Sequence, residues 1–581
     1  MRDGPTTDHD VARLFTNPGS EPQRRYEALR SLLVDNLSLQ QSAAKFGYSP
    51  KALSTLLSRL RRGHVPFHFS APRPGPKSAP RSERAWPRIL GLRQQGASVE
   101  EIASVLGSEG NPLSWAQISK LLRQHGFARL PKRPRSEQGL PSLQGAPRAQ
   151  LLSPWPAGGN LEAPQAGVFL FLPLLFDLGL TTLVEAARYP RTSAIPAPQA
   201  VLARLLLKLI SSERISYAGD VADDLSLGIF CGLSALPKTT KLTSYPYQIT
   251  RSHNQRFLVQ LAKSLRRLQP AAFQQADFNL DFHVIQAYGQ VAQLEKHYKP
   301  QRSQSVRSVL TLFAHGDGLD YLAYANADLL RSERATSVLE FCDFWQSVSG
   351  ELPLRLVFDS SFTTHAMLAQ LQERKVEFIT LRDRSKKVLS QLPPASSPQW
   401  QTVHLERPGK HKQPLVYQSW VTISSYPGQL RQLAVTDLGH EKPTLILSND
   451  QLTPANQLIE RYARRMLIEN SICEQVNFLH LNALRSGVPV NVDLDLTLTL
   501  LAYTLYRLLA AQLRGHEHAQ ATKIYRRFID TPGRLIFTEQ GLTVRLRPPS
   551  HTPVLLQSQL ANRTVEVPWL GGKQLRFEFQ R

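Results

Sequence analysis

The sequence predicts a multi-domain chain, helical in front and mixed α/β behind. Three observations carry this. At 581 residues, 42% of them hydrophobic, the chain is too long for one core and too apolar for general disorder. Within the segments before residue 268 that read as helical, apolar positions recur every three or four residues, and strict alternation begins at 277. The basic surplus is uneven: of a net charge of +23, residues 51–150 contribute 17 Lys and Arg against 5 Asp and Glu.

That surplus makes a polyanion the first partner to expect, because counterion release drives such chains onto nucleic acid. The three cysteines, Cys231, Cys342 and Cys473, are more than a hundred residues apart and form no CxxC or Cys/His cluster. A disulfide framework and a zinc module are therefore not indicated, and a reducing cytoplasm fits. MRDGPTTDHD has three acids and no apolar core, unlike a signal peptide. The strongest apolar stretch, GVFLFLPLLFDLGLTTLVEAA from 167, is interrupted by Pro173 and Asp177 and reads as a buried core helix, with no membrane partner.

Residues 24–66 read as a helix-turn-helix. Leu29, Leu32 and Leu33 lie on a first helix, Ala43, Ala44 and Phe46 on a second, and Gly47 forms the turn. Ser49 and Pro50 open a third helix, since Ser caps and Pro suits the first turn. Its polar face carries Lys51, Arg59, Arg61 and Arg62, suited to a DNA groove. Residues 84–130 read as a second such unit, with a Gly96 turn, a capping box at Ser98 and Glu101, and a recognition-helix candidate bearing Lys120 and Arg123. APRPGPKSAPRSER between them is a basic proline-rich linker, and 131–167 reads as a flexible one. Residues 168–268 read as a helical region without evident chemistry, and 516–581 as a β-rich tail.

DFNLDFHVI, 277–285, places Asp277, Asn279, Asp281 and His283 on one strand face and Phe278, Leu280 and Phe282 on the other. Two further strands follow, SVRSVLTLFAH and LDYLAYANA, around the turn GDG at 316. SERATSVLEFCDFWQSV from 332 reads as a helix capped by Ser332, and LRLVFD as a fourth strand ending on Asp359. HAMLAQLQER and VEFITL add a helix and a fifth strand. Strand, strand, strand, helix, strand, helix, strand is the layout of an RNase H-like domain, with a mixed sheet and helices on both faces. In it the first and fourth strands are neighbours, so Asp281 and Asp359 can meet. Two desolvated carboxylates side by side need a cation between them. Alternatively, Asp359 is an N-cap for the helix that follows. Downstream, a long helix puts Tyr462, Arg465 and Glu469 on one face. Glu460 and Glu474 share that helix, and Arg464 is a possible partner for any of its acids.

Three stretches carry a family resemblance: LDFHVIQAYG around Asp281, LVFDSSFTTHAMLAQLQERKVEFITLRDRS around Asp359, and RYARRMLIENSICEQVNFLHL around Glu469. They resemble the DDE transposases of bacterial insertion sequences, in the group with a β-rich insertion between the second Asp and the Glu. The three acids lie 78 and 110 residues apart, and the second gap would hold an insertion at about 386–444 within a catalytic domain at 270–515. The family's Y-x2-R-x3-E-x6-K signature matches at Tyr462, Arg465 and Glu469, but Val476 stands where it has Lys. Arg485 is one candidate replacement.

The resemblance implies cutting at the terminal inverted repeats of a mobile element and joining of the ends to a target duplex, by a homodimer in the bacterial cytoplasm, on the nucleoid. It implies two magnesium ions, with manganese as a substitute, Asp281 bridging both and Asp359 and Glu469 each holding one. Tyr462 and Arg465 would reach phosphate oxygens, and Arg382, Arg384, Lys386 and Lys387 the DNA backbone. Trp420 is a candidate for stacking on an unpaired base, against ordinary sheet packing. Asp277 competes for the first acid position, and His283 either assists protons or makes a structural hydrogen bond. Two other functions stay open: a non-catalytic helix-turn-helix regulator, and a metal-dependent nuclease that cuts without joining.

Overall fold

In the computed structural model, the change of apolar period at residue 277 marks the first strand of a large mixed sheet. The structure describes residues 18, 21–61, 80–94, 97–125, 127, 149–153, 155–156, 158–192, 194–274, 276–286, 294–299, 304–406, 411–438, 441–483, 489–547 and 551–579. Arg62, Gly96, Arg485 and most of the linkers read from the sequence lie outside them. The chain divides into two units, 1–141 and 142–581.

The first unit contains two sets of three short helices. In one, α1 (Glu21–Leu33), α2 (Leu39–Phe46) and α3 (Pro50–Arg61) enclose Ala28, Leu29, Ala43, Phe46 and Leu53. Small side chains let α1 and α2 approach closely, and the buried Ser31 and Ser42 hydroxyls both donate to the Ala28 carbonyl at 2.9 Å. Gly47 ends α2 in the left-handed region, φ 69°, which glycine adopts without strain. In the other set, α4 (Pro80–Gln94), α5 (Val99–Ser108) and α6 (Trp115–Gln124) enclose Ile89, Ile102, Leu106, Ile118 and Leu122. The capping box of Ser98 and Glu101 is present, and Ser38–Gln41 and Ser114–Gln117 form two more. Lys51, Arg59, Arg61, Lys120 and Arg123 are all exposed.

The second unit is built on a sheet of ten strands. Its middle comprises β2 (Asp277–Gln286), β4 (Gln304–Gly316), β5 (Leu322–Leu329), β6 (Arg355–Val357) and β7 (Glu377–Leu381), in spatial order β5, β4, β2, β6, β7. β4 runs antiparallel to β2 and β5, while β6 and β7 run parallel to β2. β3 (Lys296–Lys299) pairs with β4 at one margin. The strands of the 386–444 stretch continue this sheet instead of forming a subdomain of their own. β11 (Thr444–Ser448) pairs antiparallel with β7, and β10 (Leu430–Val435), β9 (Leu415–Val421) and β8 (Gln401–Thr402) follow outward. Of WQTVHL, only Gln401 and Thr402 are strand.

Helices cover both faces. On one, α9 (Arg334–Ser349) sets Phe341 and Trp345 edge-on to Phe278 at 5.0 and 4.6 Å between ring centres, with α10 (His365–Glu373) beside it. α9 begins after Glu333 with no side-chain cap, so Ser332 does not cap it; Ser332 instead lies in a 3-10 turn, Arg331–Glu333. The polar face of β2 meets α11 (Ala455–Arg464) and α12 (Leu467–Asn477). Here one continuous helix was expected. Instead, Arg465, Met466, Ile468 and Glu469 donate to carbonyls three residues back, and this tight turn separates the two helices.

The helical region and the tail share the core of this unit. α7 (Ala197–Leu209), α8 (Arg251–Leu268) and α13 (Pro489–Ala511) pack together, α13 also against β5. The buried Asp493 on α13 accepts from Arg251 Nη1 at 3.0 Å, Asn254 Nδ2 at 2.7 Å and the Ala327 amide at 2.9 Å, which offsets its desolvation. Asn491–Ala511 has the length and composition of a membrane span, but 94% of that window is buried in the protein. The apolar stretch from 167 is not one helix: a 3-10 turn, Ala166–Phe171, and two helices, Leu172–Leu178 and Leu180–Ala187, bend by 61° at Gly179. A second sheet orders β1, β12, β13, β15 and β14, that is Gly159–Ala163, Gly533–Phe537, Gly541–Leu546, Lys573–Phe579 and Val565–Val567. Residues 159–163, expected in the flexible linker, are thus a strand paired with 533–537.

Candidate active site

The polar face of β2 carries two acids four residues apart, with different surroundings. Asp277 is buried and paired with the buried Arg461 of α11, whose Nε donates to Oδ2 at 2.9 Å and whose Nη2 donates to Oδ1. Arg461 Nη1 also donates to Asn279 Oδ1 at 2.7 Å, and Arg355 stands 3.7 Å from Asp277. Asp277 is therefore the anchor for α11, and every carboxylate oxygen is engaged. Neither Arg461 nor Arg355 was singled out in the sequence. The available signal was an arginine one turn before Arg465, on the helix face toward the sheet.

Asp281 lies two residues beyond Asn279, which pairs with Val357 in the parallel β2–β6 register. The same step from Val357 reaches Asp359, so Asp281, midway along β2, and Asp359, just past the end of β6, come into each other's field. β6 itself stops at Val357, so Asp359 follows the strand instead of ending it. Its Oδ1 accepts from the Ser361 amide at 2.8 Å and from the Ser361 hydroxyl. It caps a single 3-10 turn, Ser360–Phe362, while Thr364 caps α10. Among the described residues, Oδ2 of Asp359 makes no hydrogen bond. Arg334, over the Phe282 ring at 5.4 Å, stands in the Asp359 field and is a cation the sequence did not mark.

Glu469 enters from the first turn of α12. Arg465, in the tight turn before it, lies 3.2 Å from Asp281 Oδ1 through Nη1 and 3.6 Å from Glu469 Oε1 through Nη2. Its guanidinium sits 5.8 Å from the centre of the Tyr462 ring. Burial opposes the charge on Arg465, but Tyr462, Asp281, Asp359 and Glu469 together hold its pKa above the ordinary range. One guanidinium thus sits in the field of all three acids. Burial lifts the Asp281 carboxyl to about 7; Arg465 pulls it down, and Asp359 and Glu469 push it up. Burial also raises the Tyr462 phenol. The other acids of this segment are occupied elsewhere: Glu460 accepts from the Glu406 amide, and Glu474 from Tyr503 Oη at 3.0 Å. Arg464 pairs with Asp317 at 3.0 Å.

The remaining candidates are spread around this centre. Arg382 is half-buried and donates to Gln432 Oε1 at 2.6 Å, so it is fixed in the sheet and is not a loose loop cation. Arg384, Lys386 and Lys387 are exposed, and Arg382, Arg384 and Tyr462 line one cleft of about 740 Å³. Val476 packs against the core. Trp420 is 43% exposed on β9. His283 Nε2 is hydrogen-bonded to Asn482 at 3.0 Å.

The carboxylate oxygens of Asp281, Asp359 and Glu469 are a hard donor set of the kind magnesium prefers. The field at Asp281 is the second sign of fit, since a desolvated acid repelled by Asp359 and Glu469 gains from a cation. Among the described residues, however, no three His, Cys, Asp or Glu side chains stand close enough to cage a metal ion as they are. Arg465 accounts for part of this, because it bridges Asp281 and Glu469.

No curated protein matches the chain. Residues 280–505 match the family model of the transposase DDE domain, and that span contains Asp281, Asp359 and Glu469. This part of the chain is similar to transposase DDE domains.

Proposed function

We propose that the protein is a DNA transposase that cleaves the ends of a mobile element and transfers the freed strands into target DNA. The strand order β5, β4, β2, β6, β7, in which β2 and β6, the first and fourth of these strands along the chain, are parallel neighbours, supports an RNase H-like catalytic domain at 270–515. The observation that carries the reading is the single guanidinium of Arg465 in the field of Asp281, Asp359 and Glu469, on a stretch that matches the DDE domain.

Asp281, Asp359 and Glu469 would hold divalent cations, magnesium by donor chemistry. When bound, these supply Lewis-acid stabilisation of the charge that develops on the phosphoryl oxygens. The free Oδ2 of Asp359 is the oxygen offered, since Oδ1 is tied to the Ser361 cap. Arg465 has the complementary role. Its Nε and Nη1 are buried without a hydrogen bond, so its ion pair with Asp281 rests on charge without alignment. Such donors gain from a phosphate that enters beside them, and Tyr462 holds the guanidinium plane. Arg382 and Arg384, which line the cleft beside Tyr462, and the exposed Lys386 form a positive track for the DNA backbone. The three-helix sets of the first unit, with Lys51, Arg59, Arg61, Lys120 and Arg123 exposed, act as helix-turn-helix heads for the terminal repeats. A homodimer pairs the two ends.

The test is incubation of the purified chain with magnesium, DNA bearing the element's terminal inverted repeats, and a supercoiled target. Cleaved ends joined to target, lost in Asp281→Asn, Asp359→Asn and Glu469→Gln, are expected. Cleavage without joining would make the protein a nuclease, and sequence-specific binding that survives Asp281→Asn with no cleavage by wild type would make it a regulator.

A further inference from the structure

Away from the three acids, a cavity of about 410 Å³ opens between α7, the turn after it, the Thr243–Tyr247 segment and the start of α13. Its wall holds a charge imbalance. The side chains of Arg204 and Lys208 are 2% and 8% exposed, yet they share one carboxylate, that of Asp495, itself 5% exposed. Lys208 Nζ stands 2.6 Å from Asp495 Oδ2, a close pair without hydrogen-bond alignment, while Arg204 Nη2 is 4.0 Å from Oδ1. Asp495 is the acid whose field reaches Arg204. Burial pushes the Arg204 guanidinium down to about 10, so it stays charged at neutral pH. Arg204 donates to the Leu242 carbonyl, and its buried Nε has no hydrogen bond. At the rim, Arg214 and Glu213 are paired at 2.6 Å and cancel. Two buried cations against one buried anion leave a positive surplus in a medium that solvates it poorly, and such a surplus costs several kcal/mol unless a counter-anion supplies the balance.

The counter-anion has a recognisable shape. A chloride would leave most of 410 Å³ unfilled. The oxygens of a phosphate can accept from Arg204 Nε and Lys208 together. Leu207, Ile215, Pro246 and Val492 give the cavity an apolar wall beside polar serine, threonine and asparagine side chains, and Tyr247, 67% exposed, offers a surface for a flat ring at the mouth. We propose that this cavity binds one nucleotide, its phosphate against Arg204 and Lys208 and its base against Tyr247. The nucleotide is either free or an unpaired unit of a DNA strand.

The experiment uses the full chain and titrates deoxyadenosine 5′-monophosphate by calorimetry and thermal shift, with sodium chloride at matched ionic strength as control. Saturable stabilisation beyond chloride is expected, weakened at least tenfold in Lys208→Met and about fivefold in Tyr247→Ala. Tyr247 is on the surface, so its variant carries the test if Lys208→Met fails to fold. Asp281→Asn should bind the nucleotide as wild type does, which separates this site from the acids. Displacement of the mononucleotide by single-stranded but not duplex DNA identifies the source as an unpaired strand; failure of both to displace it identifies a free nucleotide. A response equal to that of chloride, or an affinity unchanged in the folded variants, overturns the proposal.

Discussion

Arg465 and Asp281 form an ion pair of 3.2 Å in which the donor is not aligned for a hydrogen bond. An aligned pair would be a structural clamp, whereas this one leaves buried guanidinium donors for another anion. Arg465→Ala should therefore lower the rate of strand cleavage about 100- to 1000-fold, as loss of one preorganised donor to a charged transition state does. Its midpoint of chemical denaturation should hardly change. Arg465→Lys should restore little, because a point charge does not reproduce the planar fork. A cleavage rate within threefold of wild type in Arg465→Ala would assign the residue to packing.

Asp277 and Asp281 lie on one strand face, and their variants should part company. Asp277→Ala leaves Arg461 buried without its carboxylate and is expected to cost about 3–5 kcal/mol of stability. Asp281→Asn removes an acid that burial and two neighbours already disfavour as an anion, so cleavage should vanish with stability equal to or above wild type. Urea denaturation of both variants, read beside the cleavage assay, checks the pair. Loss of stability in Asp281→Asn comparable to that in Asp277→Ala would reverse the two roles.

What the sequence allowed and withheld follows from how local each feature is. Alternation in DFNLDFHVI is a property of nine consecutive residues, so β2 and its polar face were legible, as was the run that delivers Asp359. The contact that distinguishes Asp277 from Asp281 spans 184 residues and needs the tertiary placement of α11. YARRMLIE contains neither Gly nor Pro, so nothing local announces the tight turn at Arg465; there, Asp281, Asp359 and Glu469 all act on the guanidinium. The continuation of the sheet through β11 to β8 depends on pairing between strands distant in the chain. GNLEA, at 159–163, is too short and polar to read as strand before its partner at 533–537 is known.

His315 lies on β4 opposite Asn279, and burial pushes its imidazole down from 6.5 to about 4. Neutral in the fold and protonated more readily when unfolded, it contributes stability that is present above pH 6.5 and lost as pH falls toward 4. Between pH 7.5 and 4.5 the loss from this group alone is about 2–3 kcal/mol. Urea midpoints at the two pH values should show it in wild type, and His315→Phe should remove that increment from the pH dependence. An identical pH dependence in the variant would mean that the imidazole is not held neutral.

The exposed cations of the first unit make a prediction that separates positioning from recognition. Lys51, Arg59, Arg61, Lys120 and Arg123 stand free of the two small cores that hold their helices, so single substitutions should leave folding intact. If a given one meets a DNA phosphate, its change to Ala should weaken binding alike for terminal-repeat and unrelated duplexes. It should also reduce the slope of log affinity against log salt by about one. If it instead reaches a base edge, the repeat alone should lose about 1–3 kcal/mol, with a smaller change of slope. Fluorescence anisotropy of the full chain on both duplexes at several salt concentrations distinguishes these cases. Arg59→Ala and Lys120→Ala, one from each three-helix set, are the informative pair. Unchanged affinity and slope in both would remove the first unit from DNA binding and leave that task to the positive track beside Tyr462.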